Sequence, residues 1–378
     1  MSRTQKLNGL VAASLRLKTL NDNPYFNMKS TTKIIIAFLW CVYAICYNAP
    51  VSARSRQTDI KNQPIRIILD TDIGNDVDDA LALDMLYKYQ DQGVVKILGI
   101  LTNKDTEYAP EFVDIMNTWY GYPRIPIGKI TGGVRLDDYV NYAENVCKLN
   151  NEDGTPMFKR SLKSYDKLLP SHILYRKLLA AQPDNSVTVI TVGFSTNLAR
   201  LLETPGDKYS PLTGKELVAK KVRLLSVMGG DFIENPRAEF NIVNDIPSAK
   251  KLFFEWPSDV AVSPFAVGKV IKFPASVIQN DFNWGVQHPM VQAYLHYRPM
   301  PYDRPAWDLT SVLYAVKGAA DFFGVSEPGT ITVTDDGHTV FTPSESGKHV
   351  ILFVDKAQAQ RVKQYFIEII TQKPNSVK

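Results

Sequence analysis

The chain has 378 residues, 45% of them apolar and 11% aromatic, which is enough to bury a substantial core and argues against a disordered or collagen-like chain. Its 43 basic and 39 acidic residues leave a formal charge of +4 spread along the sequence. With no basic cluster of the kind that tracks phosphates, nucleic acid is not the expected partner.

The N-terminus differs in kind from the rest. Lys29 and Lys33 precede the apolar run Ile34 to Tyr47, and Val51, Ser52 and Ala53 follow in the small-x-small pattern of a signal-peptidase site. The pattern predicts a signal peptide over 28–53, cleaved near Ala53, with 1–27 an extension or a misassigned start. Because the run falls short of the roughly twenty residues a span requires, no stable membrane anchor is expected after cleavage. Cys41 and Cys46 would leave with the leader, so the domain over 54–378 keeps Cys147 alone and no internal disulfide. The expected location is secreted or periplasmic.

Beyond the leader, strand-like and helix-like runs alternate. A strand over Ile65 to Leu69 leads to a helix over Asp78 to Asp91, then a strand over Val94 to Thr102, a helix over Thr106 to Trp119 and a short strand at Ile125 to Ile127. Segment 128–169 is polar and reads as an excursion. Next come a helix over Ser171 to Gln182, a strand over Val187 to Val192, a helix over Asn197 to Glu203, a strand over Val222 to Met228, a helix from Ile246 to Trp256 and a strand over Val260 to Val262. Helices follow at Pro289 to His296 and Trp307 to Val316. At the C-terminus, Asp335-Asp336-Gly337 predicts a hairpin turn, with a strand at Val350 to Val354 and a helix at Ala357 to Ile370 after it. This rhythm predicts an α/β fold: one open, mostly parallel central sheet flanked by helices, with a small C-terminal β-hairpin and helix.

Five aspartates, Asp70, Asp72, Asp76, Asp78 and Asp79, fall within ten residues at the first strand-to-helix turn. Like charges at that density raise one another's pKa and repel, so a cation is expected among them. Side-chain alternation would put Asp70 and Asp72 on one face of the strand end, with Asp78 and Asp79 converging from the helix start. All these candidate ligands are oxygens, which favours a hard ion, calcium rather than magnesium or zinc. The register excludes an EF-hand, since Gly74 is fifth from Asp70 and Leu81 stands where the closing Glu belongs. Other polar clusters also follow predicted strands: Asn103-Lys104-Asp105, Ser195-Thr196-Asn197, Gly229-Gly230-Asp231 and Arg237 to Asn241. In an open parallel sheet that end of the strands binds ligands.

Four motifs in order, Asp70-Thr-Asp72-Ile-Gly74 to Asp78-Asp79-Ala80, Gly193-Phe-Ser-Thr196-Asn197, Met228-Gly-Gly230 and Ala238-Glu239-Phe240-Asn241, resemble the calcium-dependent, inosine-uridine preferring nucleoside hydrolases. The resemblance spans about 65–316. It implies hydrolysis of the N-glycosidic bond of ribonucleosides to ribose and free base, with a calcium-bound water activated by an aspartate. By resemblance, Asp72, Asp79, Asp308 and the Thr196 carbonyl would hold Ca2+, Asp72 would be the general base, and Asp78, Asn103, Glu239 and Asn241 would hold the ribose. Asn235 is a further candidate for the ribose, and Asp70 would support the loop. The implied partner is a small-molecule nucleoside, and a homo-oligomer is compatible with the reading.

Two departures bear on the chemistry. The turn from Asp70 to Asp79 is two residues longer than the compact family form and carries an additional acid, Asp76. Trp307 stands where many members have a histidine that protonates the departing base. Tyr294, His296, Tyr302 and Trp307 lie in the region that covers the base in relatives, and His296 is the imidazole there able to donate a proton near neutral pH. Two rivals are weighed against this. A haloacid-dehalogenase-type phosphatase shares only the opening D-x-D and leaves Ala238 to Asn241 unexplained. A secreted calcium-dependent ribose or nucleoside binding protein without efficient turnover would account for Trp307.

Overall fold

The computed structural model describes residues 63–284 and 286–377. The predicted extension and signal peptide, 1–53, lie outside the described residues.

Twelve strands are formed among the described residues: β1 (Ile65–Thr71), β2 (Val95–Thr102), β3 (Ile127–Gly128), β4 (Val187–Thr191), β5 (Val222–Met228), β6 (Asp259–Ser263), β7 (Lys272–Phe273), β8 (Arg304–Pro305), β9 (Gly324–Val325), β10 (Gly329–Val333), β11 (Thr339–Pro343) and β12 (His349–Phe353). Ten of them make one sheet in the order β11-β10-β12-β6-β5-β4-β1-β2-β3, with β9 against β12. From β3 to β6, and on to β12, every pairing is parallel. Antiparallel pairing begins at β10 and β11, whose register Thr330↔Thr342 and Thr332↔Val340 is that of the expected hairpin. The hairpin and β12 extend the main sheet.

Alternation along β1 explains the two-sided core. Ile67 and Leu69 join the apolar layer containing the helix Asp78–Asp91, whereas Ile68 joins the layer under the helix Ser171–Ala180. All three are essentially buried, and each contributes roughly 1.5–3 kcal/mol of transfer free energy. The strand order has a further consequence. β1 lies between β2 and β4, so the chain winds outward in one direction through β2 and β3 and in the other through β4, β5 and β6. The β1/β4 boundary is therefore a topological switch point, and a crevice opens beyond the carboxyl ends of these two strands.

Several boundaries move by one or two residues, and some elements had no legible signal. The helix expected from Thr106 starts at Tyr108, and the helix expected from Asn197 starts at Thr196. Segment 128–169 is less of an excursion than its polarity suggested, because the helix Tyr142–Cys147 in it buries Tyr142, Val146 and Cys147 against the core. Short helices Phe265–Val270 and Ala275–Asn280 flank β7, the first strand of the two-stranded β7–β8 ladder. No helix among the described residues is long and apolar enough to cross a membrane.

Candidate active site

Beyond the ends of β1, β4 and β5 lies a cavity of about 260 Å³. That is close to the ~300 Å³ lower end of ligand pockets, so it suits one small molecule. Its floor is polar: Asp72, Asp78, Asp79, Glu239, Asn241 and Asp308 all line it and all are buried. Its walls and roof are Tyr139, Phe240, Phe265, Tyr297, Arg298, Arg304 and Trp307. Two clefts of about 630 and 600 Å³ are larger but gather no buried carboxylate cluster.

The floor is assembled from four elements. β1 ends at Thr71, so strand alternation no longer governs Asp72. Asp70 stays beneath, accepting hydrogen bonds from Asn103 Nδ2 at 2.7 Å and Asn197 Nδ2 at 3.0 Å, while Asp72 turns into the cavity. Asp78 and Asp79 open the next helix. Asp78 Oδ2 accepts from the backbone N–H of Trp307 at 2.9 Å and of Asp308 at 3.2 Å, so one carboxylate caps the start of the helix Trp307–Lys317 and thereby fixes Asp308. Asp79 accepts from the Thr71 hydroxyl. Oxygens of Asp78, Asp79 and Asp308 lie within 4.8 Å of one another, near enough to share one cation. Asp72 lines the same cavity outside that closest trio.

Electrostatics explains why the cluster needs a positive charge. Burial, and after it the neighbouring carboxylates, pushes Asp79 and Asp308 well above the ordinary carboxylate range. Asp78 is raised in the same direction, by burial and then by Asp76. Asp72 is raised to about 7 by burial, against a counteracting pull from Lys104. Lys104 is itself buried, and its Nζ has no hydrogen-bond partner among the described residues. One lysine cannot balance four buried carboxylates, and the donor set is all oxygen, so the residues present fit a hard divalent cation.

The opposite rim is held by a different device. Glu239 accepts from the Asn241 N–H at 3.1 Å and the Gly230 N–H at 3.1 Å, and burial raises it to about 7 in spite of them. Asn241 Nδ2 donates to the Val192 carbonyl at 3.0 Å. Gly193 has to be glycine: a Cβ there would lie 2.5 Å from Asn103 Oδ1 and 2.6 Å from Asp72 Oδ1.

Four expected positions lie elsewhere. Thr196 donates its hydroxyl to Asp245 and faces one of the outer clefts, and as the first helical residue it points its carbonyl down the helix, away from the strand ends. Val192 is the part of that turn which lines the cavity. Asn103 is buried under the floor, bound to Asp70 and accepting from Phe194 N–H at 3.3 Å, so it orients the floor without lining the cavity. Asn235 sits exposed in a loop, at φ 58°, away from the cavity. His296 is half-buried on its helix and does not line the cavity either. Of the four side chains expected over the base, only Trp307 is in the lining. Its indole donates to the Phe265 carbonyl at 2.9 Å and stacks on the Phe265 ring at 5.4 Å.

Sequence reasoning missed most of the roof. Arg304 pairs with Asp76, 228 positions away, with Nε to Oδ1 at 2.8 Å. No local pattern announces such a contact. The surplus acid in the turn was the one available hint, since a half-buried extra carboxylate among like charges favours a cation beside it.

A sequence model of the inosine-uridine preferring nucleoside hydrolases matches residues 67–365. The chain belongs to this family. It is an N-ribosyl hydrolase, acting on the N-glycosidic bond of nucleosides. Solved structures agree on the fold of this nucleoside hydrolase. A plant nucleoside hydrolase is similar at 19% identity and TM-score 0.61, covering 82% of this chain and 100% of its own. An inosine-uridine preferring nucleoside hydrolase from Bacillus anthracis gives 17% identity and 0.59, over 81% and 99%. A purine-preferring ribonucleoside hydrolase from Gardnerella vaginalis gives 15% and 0.63, over 81% and 98%. No curated protein matches the chain significantly.

Proposed function

We propose that this nucleoside hydrolase is calcium-dependent, uses Asp72 as general base and acts on ribonucleosides outside the cytoplasm. The observation that carries the reading is the convergence of Asp72, Asp78, Asp79 and Asp308, buried, on one side of a small cavity, with Glu239 and Asn241 on the other. Asp72, Asp79 and Asp308 would hold the cation, with Val192 in place of Thr196 as the main-chain oxygen. A bound calcium ion supplies charge neutralisation, lowers the pKa of water and gives vicinal hydroxyls a point of attachment.

The chain's own residues do the rest. Asp72 accepts the proton of the attacking water. Glu239, Asn241 and Asp78 offer acceptors and donors to ribose hydroxyls, and a deoxyribose would leave buried polar groups unpaired, so ribosides should be favoured strongly. As the N-glycosidic bond breaks, the sugar gains oxocarbenium character, and the surrounding carboxylates stabilise a positive charge absent from the ground state. The aromatic walls exclude water and stack the base. Export rests on the leader over 28–53 alone and predicts a mature chain beginning at Arg54.

The test is reducing-sugar release by the chain from Arg54 onward, with ribonucleosides, deoxyribonucleosides and aryl ribosides, with and without a calcium chelator. Chelator-sensitive release of ribose that disappears in Asp72→Asn is expected. Release indifferent to chelation would remove calcium from the proposal, full activity in Asp72→Asn would remove the base, and recovery of the protein from the cytosol with its leader attached would remove export.

A further inference from the structure

The cavity of this hydrolase contains no imidazole among its lining residues. A purine or pyrimidine leaving as its anion needs help that Trp307, a donor already committed to the Phe265 carbonyl, does not give. The roof does contain a cation. Arg304 lines the cavity with its side chain 14% exposed, and its guanidinium carbon lies 5.2 Å from the Tyr297 ring centre and 5.1 Å from that of Trp307. A fork to Asp76 engages Nε and Nη2 and leaves Nη1 without a hydrogen-bond partner among the described residues.

The position is braced from both sides. Arg304 pairs with Phe273 in the β7–β8 ladder, and the preceding residue, Asp303, accepts from the Ala275 N–H at 2.9 Å. Gly268 makes room for Trp307, because a Cβ there would fall 2.3 Å from the indole. A cation held between two rings, tied by a carboxylate and carrying a spare N–H is a preorganised hydrogen-bond donor, the type of group that stabilises charge developing in a transition state.

We propose that Arg304 is the leaving-group residue of this enzyme: its free guanidinium N–H donates to the departing base and stabilises it as an anion, in place of a proton donor. The inference rests on the hydrolase reading of the same cavity. In the step, the C1′–N bond breaks and its electron pair goes to the base, delocalising onto ring nitrogen and carbonyl acceptors. Water oxygen bonds to C1′ and its proton passes to Asp72. The base anion then takes a proton from solvent, and Asp72 returns one to solvent. The substrates favoured are ribosides whose base offers an acceptor towards Arg304, such as a keto oxygen or an unprotonated ring nitrogen.

The experiment measures kcat/KM of the calcium-loaded enzyme and of Arg304→Gln, Arg304→Lys and Asp76→Asn on inosine, uridine and 4-nitrophenyl β-ribofuranoside, whose leaving group needs little stabilisation. Arg304→Gln should lose about 100-fold more on the two nucleosides than on the aryl riboside, the size of one lost preorganised donor. Arg304→Lys should restore part of that difference, and Asp76→Asn, which loosens the fork without removing the cation, should show a smaller difference of the same sign. Added guanidinium should recover nucleoside activity in Arg304→Ala. Equal losses on all three substrates, or none, would make Arg304 a brace for the roof and overturn the proposal. Wild-type silence on every riboside would instead overturn the hydrolase reading beneath it.

Discussion

The floor and the roof of the cavity are built by different rules. The floor is made where strands end: Asp72 directly after β1 and Val192 directly after β4, both placed by parallel ladders, with Glu239 and Asn241 at the start of the short helix Phe240–Val243 that follows β5. The roof has no ladder beneath it beyond the two-residue β7–β8 pairing, and depends on contacts between side chains far apart in sequence, such as Arg304 with Asp76 and Trp307 with Phe265. In the proposed function, chemistry on the ribose, common to all nucleosides, would fall on the floor. Discrimination between bases would fall on the roof, where side chains can change without disturbing the sheet.

Breaking the floor should have the largest effect. Asp308→Asn removes one of three carboxylates that share a cation-sized space, and ribose release should fall by at least about 10³-fold, with the cation requirement weakened or lost. Activity within tenfold of wild type would show that Asp308 is only a helix-start residue. Gly193→Ala comes next, because its Cβ would displace Asp72 and Asn103 together. A shift near 1 Å at a reacting group costs about 10²-fold in rate, so kcat should drop far more than the melting temperature.

In the metal-free protein, pH separates floor from roof. Asp70, Asp72 and Glu239 have folded-state pKa values raised to about 7, against 3.8 for an ordinary aspartate and 4.5 for glutamate. Between about pH 4 and 7 the native state therefore keeps protons that the unfolded chain has released. Stability of the metal-free protein should fall as pH rises through that window and level off above it. Calcium should raise the melting temperature more at pH 8 than at pH 5, since it binds the deprotonated cluster. Thermal melts in chelator and in calcium across that range check both signs, and a metal-free protein that gains stability from pH 5 to 7 would contradict the burial argument. The roof should be indifferent, because Arg304 remains charged throughout.

The smallest effect is expected from Gly268→Ala. Its new methyl would push on Trp307, shifting the ratio of inosine to uridine turnover by about tenfold, the order expected when a pocket wall moves by one methyl group, while ribose discrimination stays. A change in ribose preference instead would mean that roof and floor are coupled.

Much of the floor was legible because it is written in short, contiguous runs. Asp78-Asp79 after a strand, and Glu239-Phe240-Asn241 after another, need only local geometry to reach the cavity. Alternation failed at Asp72, because β1 stops at Thr71 and the chain turns there. Thr196 lies outside the lining for a related reason: a motif names the turn, but the start of the helix decides which of its residues meets the cavity, and Val192 is the one in the lining. Asn235 and His296 were nominated from the resemblance; the first lies in an exposed loop and the second on the helix Pro289–Tyr297, and neither lines the cavity.

By itself, the amino-acid sequence determined the alternation of strands and helices, the parallel sheet and the placing of acids at strand ends, because periodicity and turn chemistry act over a few residues. It also determined that these acids need a cation, since charge density is a property of the list. Tertiary structure alone decided which carboxylates share a space, which residue of the turn after β4 lines the cavity beside them and that an arginine lines the opposite wall. Those outcomes depend on distances between residues more than 100 positions apart, which packing sets and no local pattern encodes.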